Sequence, residues 1–223
     1  DAHVHPLYWG ASLGQLDLHG VDDPLIAAER VHLAAVGLPP GHWVIGHGYL
    51  FESRPDRSLL EQAAPQHPVF LTCRDLHSAW VNRRALELAG LWSEAASFED
   101  PQILRGADGA PIGYLLEHAV ERMRAVTPRP GPAELRRGLL DLAARGHTSV
   151  HVMAYERAEV LTWAEALAAS GELPLRLWWA LPRDQWRGYS PGWRDEDLEV
   201  AAVKFFADGA LGSRTAWMLE PYA

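Results

Sequence analysis

Two histidines one residue apart open the chain, in Asp1-Ala2-His3-Val4-His5-Pro6. On a strand, side chains at i and i+2 point to the same face. His3 and His5 can therefore offer two imidazoles to one metal ion, and imidazole is a common zinc ligand. Two surface histidines before a proline-stopped strand would show the same spacing. Lys204 is the only charged residue within 200–207 (VAAVKFFA). A buried ammonium is costly unless paired, and a neutral lysine amine is a nucleophile. Carbon dioxide can convert that amine into a carbamate, a carboxylate able to bridge two metal ions. A salt bridge to Asp208, or a stem reaching out to water, satisfies the same lysine without chemistry. Asp75 and His77 follow an apolar run at the same i, i+2 spacing. They can face a ligand, or Asp75 can cap a helix starting near Ser78.

Other motifs carry less. Gly10-Ala11-Ser12-Leu13-Gly14 matches GxSxG, so Ser12 enters as a candidate serine nucleophile. A nucleophile elbow needs a buried strand before the serine and a helix after it, and neither is evident here. The chain has 11 histidines, but His19, His32, His42, His67 and His118 share no spacing. His47 and His151 sit in strand-like segments, where a site or a satisfied core position is open to each. Trp178 and Trp179 occupy opposite faces of one strand, and other tryptophans suit core or pocket equally. There is no HExxH, and no glycine loop has the pattern of a dinucleotide or phosphate site.

These residues need elements to hold them. Helices are predicted over 24–37, 58–64, 78–89, 115–126, 133–145 and 156–170, from apolar periodicity with proline starts and glycine ends. Strands are predicted over 42–49, 68–73, 148–153, 174–181 and 198–207, with Asp108-Gly109 as a turn between two short strands. Strands that alternate with helices and are nearly all apolar imply an α/β fold with a parallel sheet.

Composition bounds the function. The chain has 223 residues, 48% hydrophobic and 22% charged, with a net charge of −9. That is ordinary globular composition, enough for a real core. The acidic balance argues against a nucleic acid or an anionic membrane as partner. Cys73 is the one cysteine, so no intrachain disulfide forms and a reducing, cytoplasmic location is expected. A chain opening on Asp1 and closing on Ala223 reads as a piece of a longer one, which leaves an upstream signal peptide open.

The whole pattern resembles amidohydrolase family 3, the YtcJ-like group that includes N-substituted formamide deformylase. The supporting runs are DAHVHP, GHWVIGHGY (41–49), PVFLTCRDLHSAWVNRRALELAG (68–90), RGADGAPIGYLLEHA (105–119), GHTSVHVM (146–153) and VKFFADGALGSRTAWMLEPY (203–222). They cover nearly the whole chain. The resemblance implies the first four strands of a (β/α)8 barrel with an α/β insertion after the first strand. It divides the chain into 1–19 (first strand and its loop), 20–125 (insertion) and 126–223 (strands two to four with their helices). It implies His3, His5 and a carbamylated Lys204 as ligands of one or two divalent metal ions, with zinc expected. Asp75 and His77 become substrate-binding residues. The substrate is a small amide-type molecule whose C–N bond a metal-activated hydroxide would cleave. Asp208 and Thr215 belong to the same signature without an assigned role. The family often has an acid after His151, where this chain has Val152, so no catalytic role follows there. Its two further histidines and the aspartate that serves as general base are expected downstream, so residues 1–223 alone are expected to be inactive. Open sheet edges would suit a homo-oligomer. A non-catalytic binding or regulatory relic of the same fold is the alternative.

Overall fold

The computed structural model describes residues 1–92, 100–153, 157–208 and 216–220. They fall into two compact units, Asp1–Leu13 with Pro130–Ala223, and Gly14–Arg129. The chain starts extended, with Val4 in an isolated parallel bridge, and turns at once into helix α1 (Pro6–Ser12). Proline suits a helical first turn, so the predicted first strand shrinks to that bridge. This helix also overturns the serine-hydrolase reading. Ser12 ends a helix instead of a strand-to-helix elbow, and its hydroxyl donates to the Trp9 carbonyl at 2.7 Å.

The unit Gly14–Arg129 is a mixed six-stranded sheet between helices. Leu16–Asp17, which the sequence reading leaves in the loop after the first strand, is its edge strand β1. Leu18 explains why, because it is fully buried in this unit's core and its N–H donates to the His47 carbonyl (2.9 Å). Next come α2 (Pro24–Ala35), β2 (Val44–Tyr49), α3 (Ser58–Ala63) and β3 (Val69–Cys73). Strands β1, β2 and β3 run parallel. All five β3 residues are buried: Val69, Leu71 and Cys73 pack with α2 and α3 residues such as Val31 and Leu60, and Phe70 packs the opposite way.

The helix predicted over 78–89 splits in two. Ser78–Val81 is strand β4, buried at every residue, and α4 (Arg83–Leu88) follows. A helix there would turn some of those four residues to solvent, while a strand covered on both faces buries them all. Asn82 makes the switch. Its Oδ1 accepts from Ala85 N–H (3.1 Å) and Val69 N–H (3.0 Å), and its Nδ2 donates to the His67 carbonyl (2.8 Å). Strands β5 (Ile103–Arg105) and β6 (Pro111–Leu116) pair antiparallel across the Asp108-Gly109 turn. The next helix, α5 (Glu117–Arg124), starts later than predicted because Leu115 and Leu116 finish β6. The sheet order is β1-β2-β3-β4-β6-β5.

The other unit continues with α6 (Pro132–Ala144), β7 (Ser149–Val152), α7 (Glu159–Ala169), β8 (Arg176–Pro182), β9 (Gly192–Asp195) and β10 (Leu198–Lys204). The predicted start of α7, Glu156, lies outside the described residues, as does Thr215. Strands β7, β8 and β10 are parallel in that spatial order, and β9 closes the edge antiparallel, between the predicted strands 174–181 and 198–207 where no strand is predicted. One face of this sheet packs on α6 and α7 through Leu139, Val150, Val152, Leu161, Leu177, Trp179 and Val200.

Helix α1 lies on α6 at the closest possible range. A methyl group at Gly10 would overlap the Glu134 carbonyl, and one at Gly138 would overlap the Pro6 carbonyl. The first glycine of the GxSxG match is thus a packing glycine. The Trp9 indole donates to Asp141 (2.8 Å), and the Arg145 guanidinium lies over the Trp9 ring. Arg145, and then Trp9, hold the Asp141 carboxyl below its ordinary range. The segment carrying His3 and His5 is therefore anchored from behind by α1.

Asn82 gives a direct test of the strand-to-helix switch. Asn82→Ala leaves the Val69 N–H and the His67 carbonyl buried without partners, which predicts a loss of about 2–3 kcal/mol in urea unfolding. Asn82→Asp keeps both accepted bonds and should lose less. Equal losses in the two variants would show that the accepted bonds are not what holds the switch.

Candidate functional site

His3 and His5 are placed by a parallel ladder. Val4 N–H donates to the His151 carbonyl (3.0 Å), Met153 N–H donates to the Val4 carbonyl (3.1 Å), and His151 N–H donates to the Asp1 carbonyl (2.9 Å). Val4 pairs with Val152 and turns into the α6/α7 core, so its two neighbours turn to the opposite face. The rings of His3 and His5 meet edge-on, 5.3 Å between centroids.

His151 pairs with Trp178 across β7 and β8, and their rings lie 4.7 Å apart. Both belong to the face that carries His3 and His5, because Val150, Val152, Leu177 and Trp179 occupy the core face. Lys204 reaches this face through an irregularity. Leu198 and Val200 pair with Leu177 and Trp179, on the core side. Strict alternation from Val200 would turn Lys204 to the core as well. A register shift between Val200 and Ala202 reverses the phase, so Ala202 pairs with Ala180 and Lys204 with Pro182. Lys204 thereby shares the histidine face, at the C-terminal end of the sheet.

The premise of a buried ammonium is corrected. Lys204 is half-exposed, its neighbour Val203 is 41% exposed, and its Nζ lies 5.1 Å from the Phe206 ring centroid. Asp208 accepts a hydrogen bond from the Trp217 N–H (3.0 Å), and Trp217 itself is exposed.

In the unit Gly14–Arg129, Asp75 and His77 form the tight turn between β3 and β4. Asp75 does not cap a helix, since a strand follows it. Its Oδ1 accepts from the N–H groups of His77 (2.9 Å) and Ser78 (3.3 Å). His77 Nδ1 lies 3.0 Å from Glu117 Oε2, and Glu117 N–H donates to the His77 carbonyl (2.8 Å). An ionised carboxylate only accepts, so Nδ1 is the donor in this contact and Nε2 points away from it. Leu76 (φ 64°) and Glu117 (φ 42°) are the two non-glycine residues with positive φ among the described residues. Such strain gathers where surrounding structure over-determines a functional turn.

Sequence reasoning missed Glu117, because its link to His77 runs across β6 and β4 and leaves no local spacing. It also missed that Asp17, His19 and His47 converge. Among the described residues these three form the group of His, Cys, Asp or Glu side chains able to share a metal ion. The signal was present, since Asp17 and His19 repeat the i, i+2 spacing of His3 and His5.

A profile of the amidohydrolase family matches residues 1–223. The chain is 29% identical to the putative amidohydrolase YtcJ of Bacillus subtilis over 248 aligned positions, covering 100% of this chain and 45% of that protein. It is 33% identical over 137 positions to the N-substituted formamide deformylase of Arthrobacter pascens, covering 57% of this chain and 25% of that one. The crystal structure of an uncharacterized metal-dependent hydrolase from Pyrococcus furiosus superposes with a TM-score of 0.70 at 26% identity, covering 100% of this chain and 46% of that one. The chain thus spans less than half the length of these relatives.

The strained turn predicts its own relief. Leu76 is 57% exposed, so Leu76→Gly gives up little burial while removing the positive-φ penalty. Unfolding in urea should show a gain of about 1 kcal/mol at unchanged slope. A loss of stability would mean that the turn is not strained.

Proposed function

The chain belongs to the amidohydrolase family, and we propose that it supplies part of the metal centre and substrate pocket of a metal-dependent hydrolase. On this reading the Val4 segment, β7, β8 and β10 are the first four strands of a (β/α)8 barrel, and Gly14–Arg129 is an insertion after the first. The spatial order of the four segments follows their chain order, as it does in such a barrel. The observation that carries the reading is the shared face of His3, His5 and Lys204 at the C-terminal end of one parallel sheet. Barrel enzymes of this class carry their chemistry at that end.

The donor set fits a divalent metal. Two imidazoles on one face suit zinc, and a lysine at the strand end can complete the set as its carbamate. In that step the neutral Lys204 amine forms an N–C bond to carbon dioxide and loses one proton, leaving a carboxylate. The half-exposed position of Lys204 leaves it accessible to dissolved carbon dioxide. A bound divalent metal supplies a Lewis acid for a substrate carbonyl and lowers the pKa of water.

The chain's own residues do the rest. The Val4 ladder and α1 hold the two imidazoles in a fixed relation to β7. Trp178, against His151, offers an apolar wall to a small amide-type substrate. Asp75 fixes the turn carrying His77, and Glu117 fixes the proton on His77 Nδ1, so that Nε2 can accept a substrate N–H. We read the bond cleaved as a C–N bond of amide or formamide type, in line with what the Arthrobacter relative's name says of that protein. We place the protein in the cytoplasm, with a small molecule as partner and neither nucleic acid nor membrane. No described helix is long and apolar enough to cross a membrane.

Elemental analysis tests the ligand set. Residues 1–223 should bind zinc, and His3→Ala with His5→Ala should lower the metal content attributable to that centre. Supplying 13C-labelled bicarbonate should give a carbamate carbon signal by NMR that Lys204→Ala abolishes. Unchanged metal content in the histidine variant, or a signal surviving in Lys204→Ala, would remove those residues from the set. Residues 1–223 alone should not turn over an N-formyl or N-acyl amine, and metal-dependent turnover would overturn that expectation.

A further inference from the structure

We propose that Asp17, His19 and His47 form a separate transition-metal site that clamps the edge strand β1 to β2. Nothing in the reading of His3, His5 and Lys204 requires it. The parallel register pairs Asp17 with His47, which puts both side chains on one face. Leu18 turns inward and is fully buried, so His19, two residues beyond Asp17, returns to the Asp17 face. One ligand atom from each of the three lies within 4.8 Å of the others. Asp17 Oδ1 is 2.7 Å from His19 Nδ1, and the His19 and His47 rings stand 5.2 Å apart at 71°.

The backbone makes room for this arrangement. Gly48 has φ 95°, which L side chains rarely adopt, and a Cβ there would fall onto the His19 imidazole. Arg30 directs its guanidinium to the Asp17 main-chain carbonyl (3.1 Å) and leaves the carboxylate to His19. Both observations point away from a chance meeting of three surface groups.

The donor set selects the ligand class. Two imidazole nitrogens and one carboxylate oxygen suit zinc, cobalt, nickel or copper, whereas calcium and magnesium prefer all-oxygen sites. Three protein ligands leave a fourth position for water. Tetrahedral zinc with bonds of about 2.0–2.2 Å needs ligand atoms roughly 3.3 Å apart. No pair of ligand atoms must therefore close by more than about 1.5 Å, the 2.7 Å Asp17–His19 contact need only open slightly, and both side chains are exposed enough to move (70% and 57%). Strand β1 has only 2 residues, so a metal bridging it to β2 would stabilise the shortest strand of this sheet.

The test uses residues 1–223 carrying His3→Ala, His5→Ala and Lys204→Ala, which removes the other proposed centre. Calorimetric titration with zinc chloride should show one saturable site per chain, and zinc should raise the unfolding temperature. His19→Gln, His47→Gln and Asp17→Asn should each weaken binding about tenfold or more. His19 and Asp17 are exposed, so those two variants keep the core, and unchanged circular dichroism confirms it. Calcium chloride should not compete. No saturable zinc site in this background, unchanged affinity in the His19→Gln variant, or equal affinity for calcium would each overturn the proposal.

Discussion

Parallel register is the constraint on which both compact units depend. Hydrogen-bonded neighbours in a parallel ladder share a face, so one offset fixes every side chain along the row. Val4, Val152, Trp179 and Val200 form one such row, which points into the α6/α7 core. His3, His5, His151 and Trp178 then have no choice but the other face. A slip by one residue would bury imidazoles and expose valines, and each apolar side chain so exposed costs about 1.5–3 kcal/mol. The same rule sets Asp17 beside His47 in the other unit.

Two departures from regularity aim particular residues. The register shift between Val200 and Ala202 carries Lys204 from the core row to the histidine row. Without that extra residue, the Lys204 side chain would turn to the core row with Leu181 and its neighbours, where an unpaired charge is costly. Leu76 in the β3–β4 turn and Glu117 at the start of α5 hold left-handed conformations. The Asp75 hydrogen bonds and the paired strands β4 and β6 hold them there. Both departures lie beside residues to which function is proposed, and regular strands surround them.

The helices and strands with strong periodicity were legible, α2, α6 and α7 among them, because amphipathic spacing and proline starts are local signals. The helix predicted from Ser78 was not, because Ser-Ala-Trp-Val has no pattern that separates a buried strand from a buried helix. Antiparallel pairing with β3 and β6 decided it. Ser12 belongs to a motif matched in letters only, as the missing strand before it and helix after it indicate, and the first glycine of that match lets α1 approach α6. The family was legible because its motifs occur in order along nearly the whole chain, and the profile match over residues 1–223 agrees.

The sequence by itself determined the chemistry on offer: paired histidines at strand spacing, an isolated lysine, an Asp–His pair after an apolar run, and a net charge of −9. Those are properties of residue type and near spacing. Tertiary structure alone decided which of them meet. Glu117 reaches His77, and His47 reaches Asp17 and His19, across strand pairings between distant parts of the chain. The reason is physical: register and bulges are set by burial of whole strand faces, and no local window of the sequence contains the partner strand.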